Sequence, residues 1–254
     1  DAKGQVIRPI CLDGLEGQVQ ALLADGIRAA AVALLHSYRN PDHERQVACF
    51  LRERGFDTVA VSSELASLIK ILPRAQTAVV EASLHPIIDG YLQRVASQMS
   101  GTIHALTSAG GLVEASRYRA KDSLLSGPAG GVAGAAAAGL ASGESRVISF
   151  DMGGTSTDVA RWDGDFEYQF EHTVGNARLV APALAIETVA AGGGSICRFV
   201  EGRLRVGPDS AGADPGPGCY GAGGPLTVTD VNLLLGRLDP ERFGIPIDPT
   251  AAET

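Results

Sequence analysis

The sequence predicts an α/β fold, and three features carry that prediction. Residues 13–62 alternate between segments with helical spacing of apolar side chains and short apolar runs. One of these runs, residues 29–35, is unbroken by polar side chains, which is typical of a strand covered on both faces. Between residues 126 and 224 the chain is dense in glycine, in clusters separated by apolar segments. Such clusters indicate tight turns and close backbone approach rather than a flexible linker.

Composition and charge narrow the class of protein. The chain has 254 residues, 45% hydrophobic and 20% charged, enough for one large domain or two small ones. A formal net charge of −8 argues against a nucleic-acid partner, and no apolar run approaches the ~20 residues that span a membrane. The four cysteines form no C-x-x-C pair, which favours a reducing, cytoplasmic compartment. The ends of the chain lead us to expect a fragment of a longer protein.

The first elements follow from spacing and capping signals. A helix is expected around Val19, ending at Asp25-Gly26, and a strand over residues 29–35. Asn40-Pro41 then opens a second helix, and residues 58–61 read as the next strand. This order predicts a parallel pair of strands with a right-handed crossover.

Two further helices are predicted. Residues 75–99 have a helical pattern that Pro86 interrupts, so we expect a kink or two shorter helices. A helix through residue 140 opens at Ser126-Gly127, where free N–H groups suit a phosphate or a substrate carboxylate. The alternative is that the glycines there only allow close packing of an alanine-rich helix.

A glycine-rich turn between two strands is the strongest functional signal. An apolar strand over residues 147–150 delivers Asp151, a turn follows, and a second strand runs through residues 159–162. Glycine amides can converge on phosphate oxygens, and Mg²⁺ prefers one or two carboxylates with waters and phosphates. A plain β-hairpin remains an equal alternative on spacing alone.

The candidate residues divide by chemistry. Catalytic roles are expected for Asp151 and Asp158, through Mg²⁺ or an oriented water, with Asp151 as the Mg²⁺ ligand. A second glycine run, Gly192-Gly193-Gly194-Ser195, is interpreted as the wall of a binding cleft in preference to a plain turn. The candidates for binding a phosphate-bearing cofactor are Gly153, Gly154, Thr155, Ser156, Thr157, Ser126, Gly127, Gly192, Gly193 and Gly194.

Several motifs together resemble a known family. D-M-G-G-T-S-T-D at residues 151–158 resembles a phosphate-binding loop of the superfamily that includes actin, sugar kinases and the heat-shock chaperone ATPases. The stretch over residues 28–243 resembles the hydantoinase A/5-oxoprolinase family. The matching segments are residues 33–41, 125–132, 191–195, 206–220 and 227–233.

The resemblance implies a fold and a reaction. The fold would be a partial actin-like ATPase (ribonuclease H-like) fold, with residues 1–74 ending an N-terminal domain and residues 75–254 forming a central domain. ATP and Mg²⁺, with a monovalent cation as a further candidate, would serve hydrolysis of a small cyclic amide. The amide oxygen would be phosphorylated, and 5-oxoproline would give glutamate. A hydantoinase B-type domain or subunit and an oligomer are expected as partners.

Within the family, residues 69–74 resemble the K-I-V-P-R segment of the 5-oxoprolinase branch, and residues 188–194 and 223–230 also favour it. An N-methylhydantoin-type hydantoinase and an acetone or acetophenone carboxylase subunit are alternatives. A nucleotide-binding assembly module and a degenerate paralogue are the alternatives that are not enzymes. Lys70 and Arg74 are interpreted either as substrate-facing cations or as part of a solvated face.

The chain also departs from the family pattern, at Ala109, Ala185, Glu187 and Glu81. These departures remove or invert polar groups, so we expect a substrate pocket that differs from the family's. Four residues in family-like segments, Asp209, Asp214, Cys219 and Asp230, are equally well explained as turn formers or core residues. Cys219 is interpreted as a small buried residue rather than a nucleophile.

Overall fold

The computed structural model describes residues 1–174 and 176–253. The helices are α1 (Glu16–Ala24), α2 (Asp42–Arg54), α3 (Ser62–Leu65), α4 (Ile71–Gln98), α5 (Ser126–Ala141), α6 (Val228–Leu234) and α7 (Pro249–Ala252). The strands are β1 (Ala29–Val32), β2 (Thr58–Val61), β3 (His104–Leu106), β4 (Leu112–Glu114), β5 (Val147–Met152), β6 (Thr157–Trp162), β7 (Tyr168–Val174), β8 (Ala177–Leu184), β9 (Glu187–Val189), β10 (Ser195–Val200) and β11 (Arg203–Ser210). This mixture confirms the predicted α/β class.

The chain divides into two compact units. The first comprises Asp1–Gly130 and Glu167–Leu184, and the second comprises Gly131–Phe166 and Ala185–Thr254. The division that the sequence suggested at residue 74 concerns family domains and stays a prediction. Within the described residues, no helix is both long and apolar enough to cross a membrane.

The first unit begins with the predicted crossover. β1 and β2 pair in parallel, with Ala29 opposite Thr58, and α2 connects them. Val19, Val32, Phe50, Leu51 and Phe56 form the buried cluster beneath this pair. The strand ends at Val32, earlier than predicted, because the amide of Leu34 donates to Glu44 Oε1 (2.7 Å) instead of to a neighbouring strand.

α4 excludes one of the two forms predicted at Pro86, the division into two shorter helices, whereas a kink stays a prediction. The helix runs without division from Ile71 to Gln98 and includes Pro86. A proline inside a helix removes one backbone donor, and in a helix of 28 residues the remaining hydrogen bonds and packing of its first half maintain the element. This half packs on β1, β2 and β8.

A buried ion pair holds the start of α4. Arg74 Nη1 lies 3.6 Å from Glu44 Oε1, and both side chains are 0% exposed. The hydroxyls of Ser37 and Ser62 donate to the same carboxylate at 2.8 and 2.7 Å, and Arg74 Nη2 donates to the Leu34 carbonyl. Arg74 is therefore a structural cation, and both sequence interpretations of it were wrong. Its partner lies on another element, which helical spacing could not reveal.

Lys70 has a different environment from Arg74. Its side chain is 63% exposed, and Nζ lies 3.9 Å from Glu171 Oε1. It lines an open groove of about 660 Å³ together with Gln76 and Arg178. The structure therefore places Lys70 on a solvated surface, and contact with a substrate stays a prediction.

The second unit contains a sheet with the strand order β5-β6-β9. Helix α5 covers one face of β5. The close approach is shown by two glycines of α5: a Cβ on Gly139 would lie 2.3 Å from Val147, and one on Gly131 would lie 3.0 Å from Asp151 Oδ2. Eight helical residues and four strand residues each span about 12–13 Å, so the residues in contact with β5 run antiparallel to it. The glycines permit this close packing, as one of the sequence interpretations proposed.

The opposite face of β5 is open. Ile148, Phe150 and Met152 alternate along the strand and are 73%, 69% and 45% exposed. This side of the sheet carries apolar surface, whereas the face under α5 buries Ser149, Ala160 and Trp162.

Candidate nucleotide-phosphate site

The predicted hairpin is confirmed, and the structure gives its register. β5 and β6 pair antiparallel, with Asp151 directly opposite Asp158 and Met152 opposite Thr157. Residues opposite each other in such a pair present their side chains on the same face. The two aspartates therefore stand side by side at the end of the hairpin, on the face toward Gly131.

The turn between the two strands is braced through its carbonyl groups. Gly193 N donates to Gly153 O (2.9 Å), and Gly194 N donates to Gly154 O (2.6 Å). Gly153 N closes the turn on Ser156 O at 2.9 Å. The second glycine run therefore stabilises the candidate phosphate loop through hydrogen bonds to its carbonyls. Direct contact of that run with a nucleotide stays a prediction.

Three backbone amides and two hydroxyls of the same turn have no partner among the described residues. Within the described part of the chain, no hydrogen bond engages the amides of Gly154, Thr155 and Ser156, or the hydroxyls of Thr155 and Ser156. The carbonyl acceptors of Gly153 and Gly154 are occupied, whereas these N–H and O–H donors are available. The turn therefore presents the positive ends of its dipoles to an anion. This is the composition expected of a phosphate-binding loop.

Hydroxyl groups outside the turn fix it further. Thr157 Oγ1 is buried and donates to Ala191 O (2.5 Å), so this predicted phosphate donor braces the loop in the structure. Ser195 Oγ accepts from Gly192 N (2.8 Å), and Thr229 Oγ1 donates to Gly193 O (2.9 Å). The sequence placed Ser195 in the second glycine run but gave neither Ser195 nor Thr229 a role in holding the turn. Both residues lie in segments that resemble the family, residues 191–195 and 227–233.

Gly192 is expected to tolerate no side chain. A Cβ there would lie 2.7 Å from both Gly154 C and Thr155 N and 2.8 Å from Gly153 O. Because these are backbone atoms, Gly192→Ala must displace the turn, and we expect a loss of about 10²-fold in ATP-dependent turnover. Hydrogen exchange over residues 151–158 of the full-length protein measures the displacement.

The matched control is Gly134→Ala on α5, where an added Cβ meets nothing within 4 Å. This control is expected to leave turnover unchanged and to raise helix stability by about 0.5–1 kcal/mol. If Gly192→Ala had the turnover and the hydrogen exchange of the wild type, the second glycine run would not determine the shape of the turn.

The two carboxylates differ in their contacts. Thr188 Oγ1 donates to Asp158 Oδ1 at 2.6 Å, whereas no hydrogen bond or ion pair in the described residues reaches the Asp151 carboxylate. No group of three or more His, Cys, Asp or Glu side chains suited to a metal occurs among those residues. Two adjacent carboxylates beside a donor-rich turn nevertheless fit Mg²⁺, which completes its shell with waters and phosphates.

Ser126 and Gly127 lie at the start of α5, as predicted. Ser126 Oγ donates to Ser123 O (2.9 Å), and a Cβ on Gly127 would meet nothing within 4 Å. Both residues belong to the first unit, whereas the hairpin belongs to the second. Their grouping with Asp151 in one site therefore stays a prediction.

Two of the departures from the family pattern have structural explanations. Glu81 is buried and accepts the amides of Ala120 and Lys121 at 3.2 and 2.7 Å, so it anchors the adjacent turn in the first unit. Glu187 stands opposite Val159 in the β6–β9 pairing. It therefore points to the other face of the sheet from Asp158 and lies outside the carboxylate pair.

Asp230 and Cys219 have structural roles. Asp230 is fully buried and completes the capping box of α6 with Thr227. Burial alone would raise its pKa, but hydrogen bonds from Cys219 and Thr227 hold the pKa below its ordinary value. Burial, and then the hydrogen bond to Asp230, raise the pKa of the Cys219 thiol to about 12. A thiol of this kind is not a nucleophile at neutral pH.

Asp209 forms a surface ion pair with Arg198, at 2.8 Å between Oδ2 and Nη1. Such exposed pairs contribute about 0–1 kcal/mol. Of the four residues left open by the sequence, this accounts for Asp209 as well as for Asp230 and Cys219. Asp214 has no hydrogen bond or ion pair among the described residues.

Comparisons with known proteins point to one family. The hydantoinase/oxoprolinase model matches residues 74–253, and the model of the hydantoinase/oxoprolinase N-terminal region matches residues 1–55. A 5-oxoprolinase of Saccharomyces cerevisiae is 47% identical over 242 residues, covering 93% of this chain and 19% of its own length. The chain thus spans about a fifth of that relative.

Two solved structures resemble the chain. A nucleotide-free acetone carboxylase aligns with a TM-score of 0.81 and 26% identity, over 99% of this chain and 38% of the other. An ATP-dependent caprolactamase from Pseudomonas jessenii aligns with a TM-score of 0.79 and 32% identity, over 98% and 38%. These alignments confirm the predicted α/β fold as part of a larger one.

Proposed function

Because the chain belongs to the hydantoinase/oxoprolinase family, we propose that it supplies the phosphate loop of an ATP-dependent cyclic-amide hydrolase. The observation that carries this proposal is the turn at residues 153–156. The carbonyls of Gly153 and Gly154 accept from the second glycine run, and the amides of the three residues after Gly153 have no hydrogen bond among the described residues. The turn lies beside the opposed pair Asp151 and Asp158.

Each part of the hairpin has a role in the proposal. The amides of Gly154, Thr155 and Ser156, with the two adjacent hydroxyls, donate to phosphate oxygens of ATP. Asp151 and Asp158 hold Mg²⁺, which offsets phosphate charge when bound. Gly192, Gly193 and Gly194 keep the turn in shape. Ser126 and Gly127 form a further anion contact at the start of α5.

The proposed substrate is 5-oxoproline, which the similarity to a yeast 5-oxoprolinase supports. A five-membered lactam is stable to water because amide resonance makes its carbon a poor electrophile. Transfer of the terminal phosphoryl group of ATP to the amide oxygen releases ADP and leaves a C–O–P bond. Water then adds at the carbon, and the C–N bond breaks with protonation of the nitrogen, which leaves an acyl phosphate. A second water cleaves the O–P bond of this acyl phosphate, and glutamate and phosphate are released.

A second candidate is carboxylation of a ketone, which the similarity to an acetone carboxylase favours. Both reactions begin with ATP-dependent activation of a carbonyl oxygen, so the same turn serves either. A hydantoinase B-type domain or subunit, an oligomeric assembly and a cytoplasmic location belong to the proposal as well.

The test uses the full-length protein that contains this chain, with its partner subunit where one exists. ADP release is followed with 5-oxoproline, caprolactam, hydantoin, or acetone with bicarbonate. Stimulation by 5-oxoproline with equimolar glutamate supports the proposal, and stimulation by another of these compounds moves the substrate assignment to it. ADP release that no small carbonyl compound stimulates would overturn the proposal in favour of a nucleotide-binding assembly module.

A further inference from the structure

A row of three polar side chains crosses the sheet of the second unit. β6 pairs with β5 on one side and with β9 on the other, so that Asp158 stands opposite both Asp151 and Thr188. Because residues opposite each other share a face of the sheet, the row Asp151–Asp158–Thr188 lies on the face that bears the proposed phosphate site. Thr188 was not among the candidates that the sequence suggested.

The row is asymmetric. Thr188 Oγ1 donates to Asp158 Oδ1 at 2.6 Å, a short distance typical of a hydroxyl bonded to an ionised carboxylate. Asp151 accepts no hydrogen bond within the described part of the chain, and its Oδ2 lies against the backbone at Gly131. One carboxylate is therefore fixed from the outer strand, while the other is available to a cation.

This asymmetry counters a repulsion. Like charges directly opposite each other in an antiparallel pair are destabilising, and Asp151 and Asp158 face each other in this way. A hydroxyl donor on the far side of Asp158 stabilises its charge and restricts its rotation. Without that donor, the carboxylate would turn away from its neighbour and separate the two ligands.

We propose that Thr188 is a positioning residue that orients Asp158 toward a cation shared with Asp151. The proposal rests on the phosphate-site function given above. Donors to a ligating carboxylate typically change metal affinity by about 10–100-fold. Thr188 also belongs to the strand that leads into Ala191 and the bracing glycines, so strand pairing and carboxylate orientation are coupled.

The experiment compares Thr188→Val, which removes the hydroxyl at nearly constant volume, with Thr188→Ser, which keeps it. Binding of Mn²⁺ to the full-length protein with ADP is measured by electron paramagnetic resonance. We expect Thr188→Val to weaken Mn²⁺ binding by about 10–100-fold and to raise the Mg²⁺ concentration for half-maximal ADP release. Thr188→Ser should bind Mn²⁺ like the wild type, and the KM for the amide should not change in either variant.

Hydrogen exchange over residues 187–194 separates positioning from folding. Equal Mn²⁺ affinity in the wild type and Thr188→Val would overturn the proposal. Weakened binding in both variants with loss of exchange protection would also overturn it, because the residue would then act only on the strand. If none of the small carbonyl compounds stimulates ADP release by the wild type, the proposed function is wrong. The role of Thr188 is still tested in that case, because Mn²⁺ binding is measured without turnover.

Discussion

Asp151→Asn is expected to lower ATP-dependent turnover by about 10²–10³-fold. The substitution removes the negative charge but keeps the size of the side chain. The carboxylate is exposed, unbonded within the described residues and opposite Asp158, so the fold does not depend on it. Phosphate release in a single turnover, with saturating ATP and substrate, measures the effect on the chemical step.

The matched control for this variant is Asp165→Asn. Asp165 is an exposed aspartate of the same unit, in the segment between β6 and β7. Its variant should release phosphate at the wild-type rate. If Asp151→Asn also retained that rate, the carboxylate pair would lose its assigned role, although the turn could still bind phosphate through its amides.

Glu44→Gln is expected to destabilise the first unit by about 3–5 kcal/mol. The variant leaves the fully buried Arg74 without a counter-charge, while Ser37, Ser62 and the amides of Leu34 and Ser63 lose an ionised acceptor. Hydrogen exchange of the segments around Leu34 and Ser63 measures this loss of local stability in the intact protein. Protection there should fall by about 10²–10³·⁵-fold, at tenfold per 1.4 kcal/mol.

A double variant tests whether the charge pair is the cause. Glu44→Gln/Arg74→Met removes both charges, and we expect it to recover much of the lost protection, because no uncompensated buried charge then remains. Equal loss in the single and the double variant would assign the effect to packing.

Acid should reproduce part of the Glu44→Gln effect. Burial opposes ionisation of Glu44, but hydrogen bonds from Ser63, Ser62 and Leu34 hold its pKa below the ordinary value of 4.5. A carboxylate with a lowered pKa contributes stability above pH 4.5, and this contribution is lost as the pH falls through the folded pKa. The wild type should therefore lose protection around Leu34 in acid, whereas Glu44→Gln should lack that step.

Local patterns predicted the local structure. The start of α5 at Ser126 and the hairpin around residues 153–156 depend on residues close in sequence, where spacing and turn chemistry carry the information. The parallel pair of β1 and β2 followed from the strand–helix–strand order. The sequence left open whether α4 divides at Pro86, and the helix is undivided because packing on three strands outweighs one missing backbone donor.

Long-range partners were not predictable from the sequence. Arg74 meets a carboxylate thirty positions earlier in the chain, and Thr188 reaches Asp158 thirty positions earlier. Neither distance follows a helical or strand period, and both pairings appear only once the sheets have formed. The candidate phosphate-loop residues were proposed from the motif, whereas the groups that hold the turn came from the structure.

The braced turn bears on the thermodynamics of ligand capture. Fixing the backbone of a free residue costs about 1–2 kcal/mol. An unsupported four-residue loop would therefore lose several kcal/mol of binding free energy when it orders around an anion. Here the carbonyls of Gly153 and Gly154 are already bonded by Gly193 and Gly194, and that ordering is completed during folding. Preorganisation of this kind strengthens association with no additional contact. Substitutions at Gly192, Gly193 and Gly194 should consequently weaken nucleotide affinity through the entropy of ordering the turn, even without loss of a contact to phosphate.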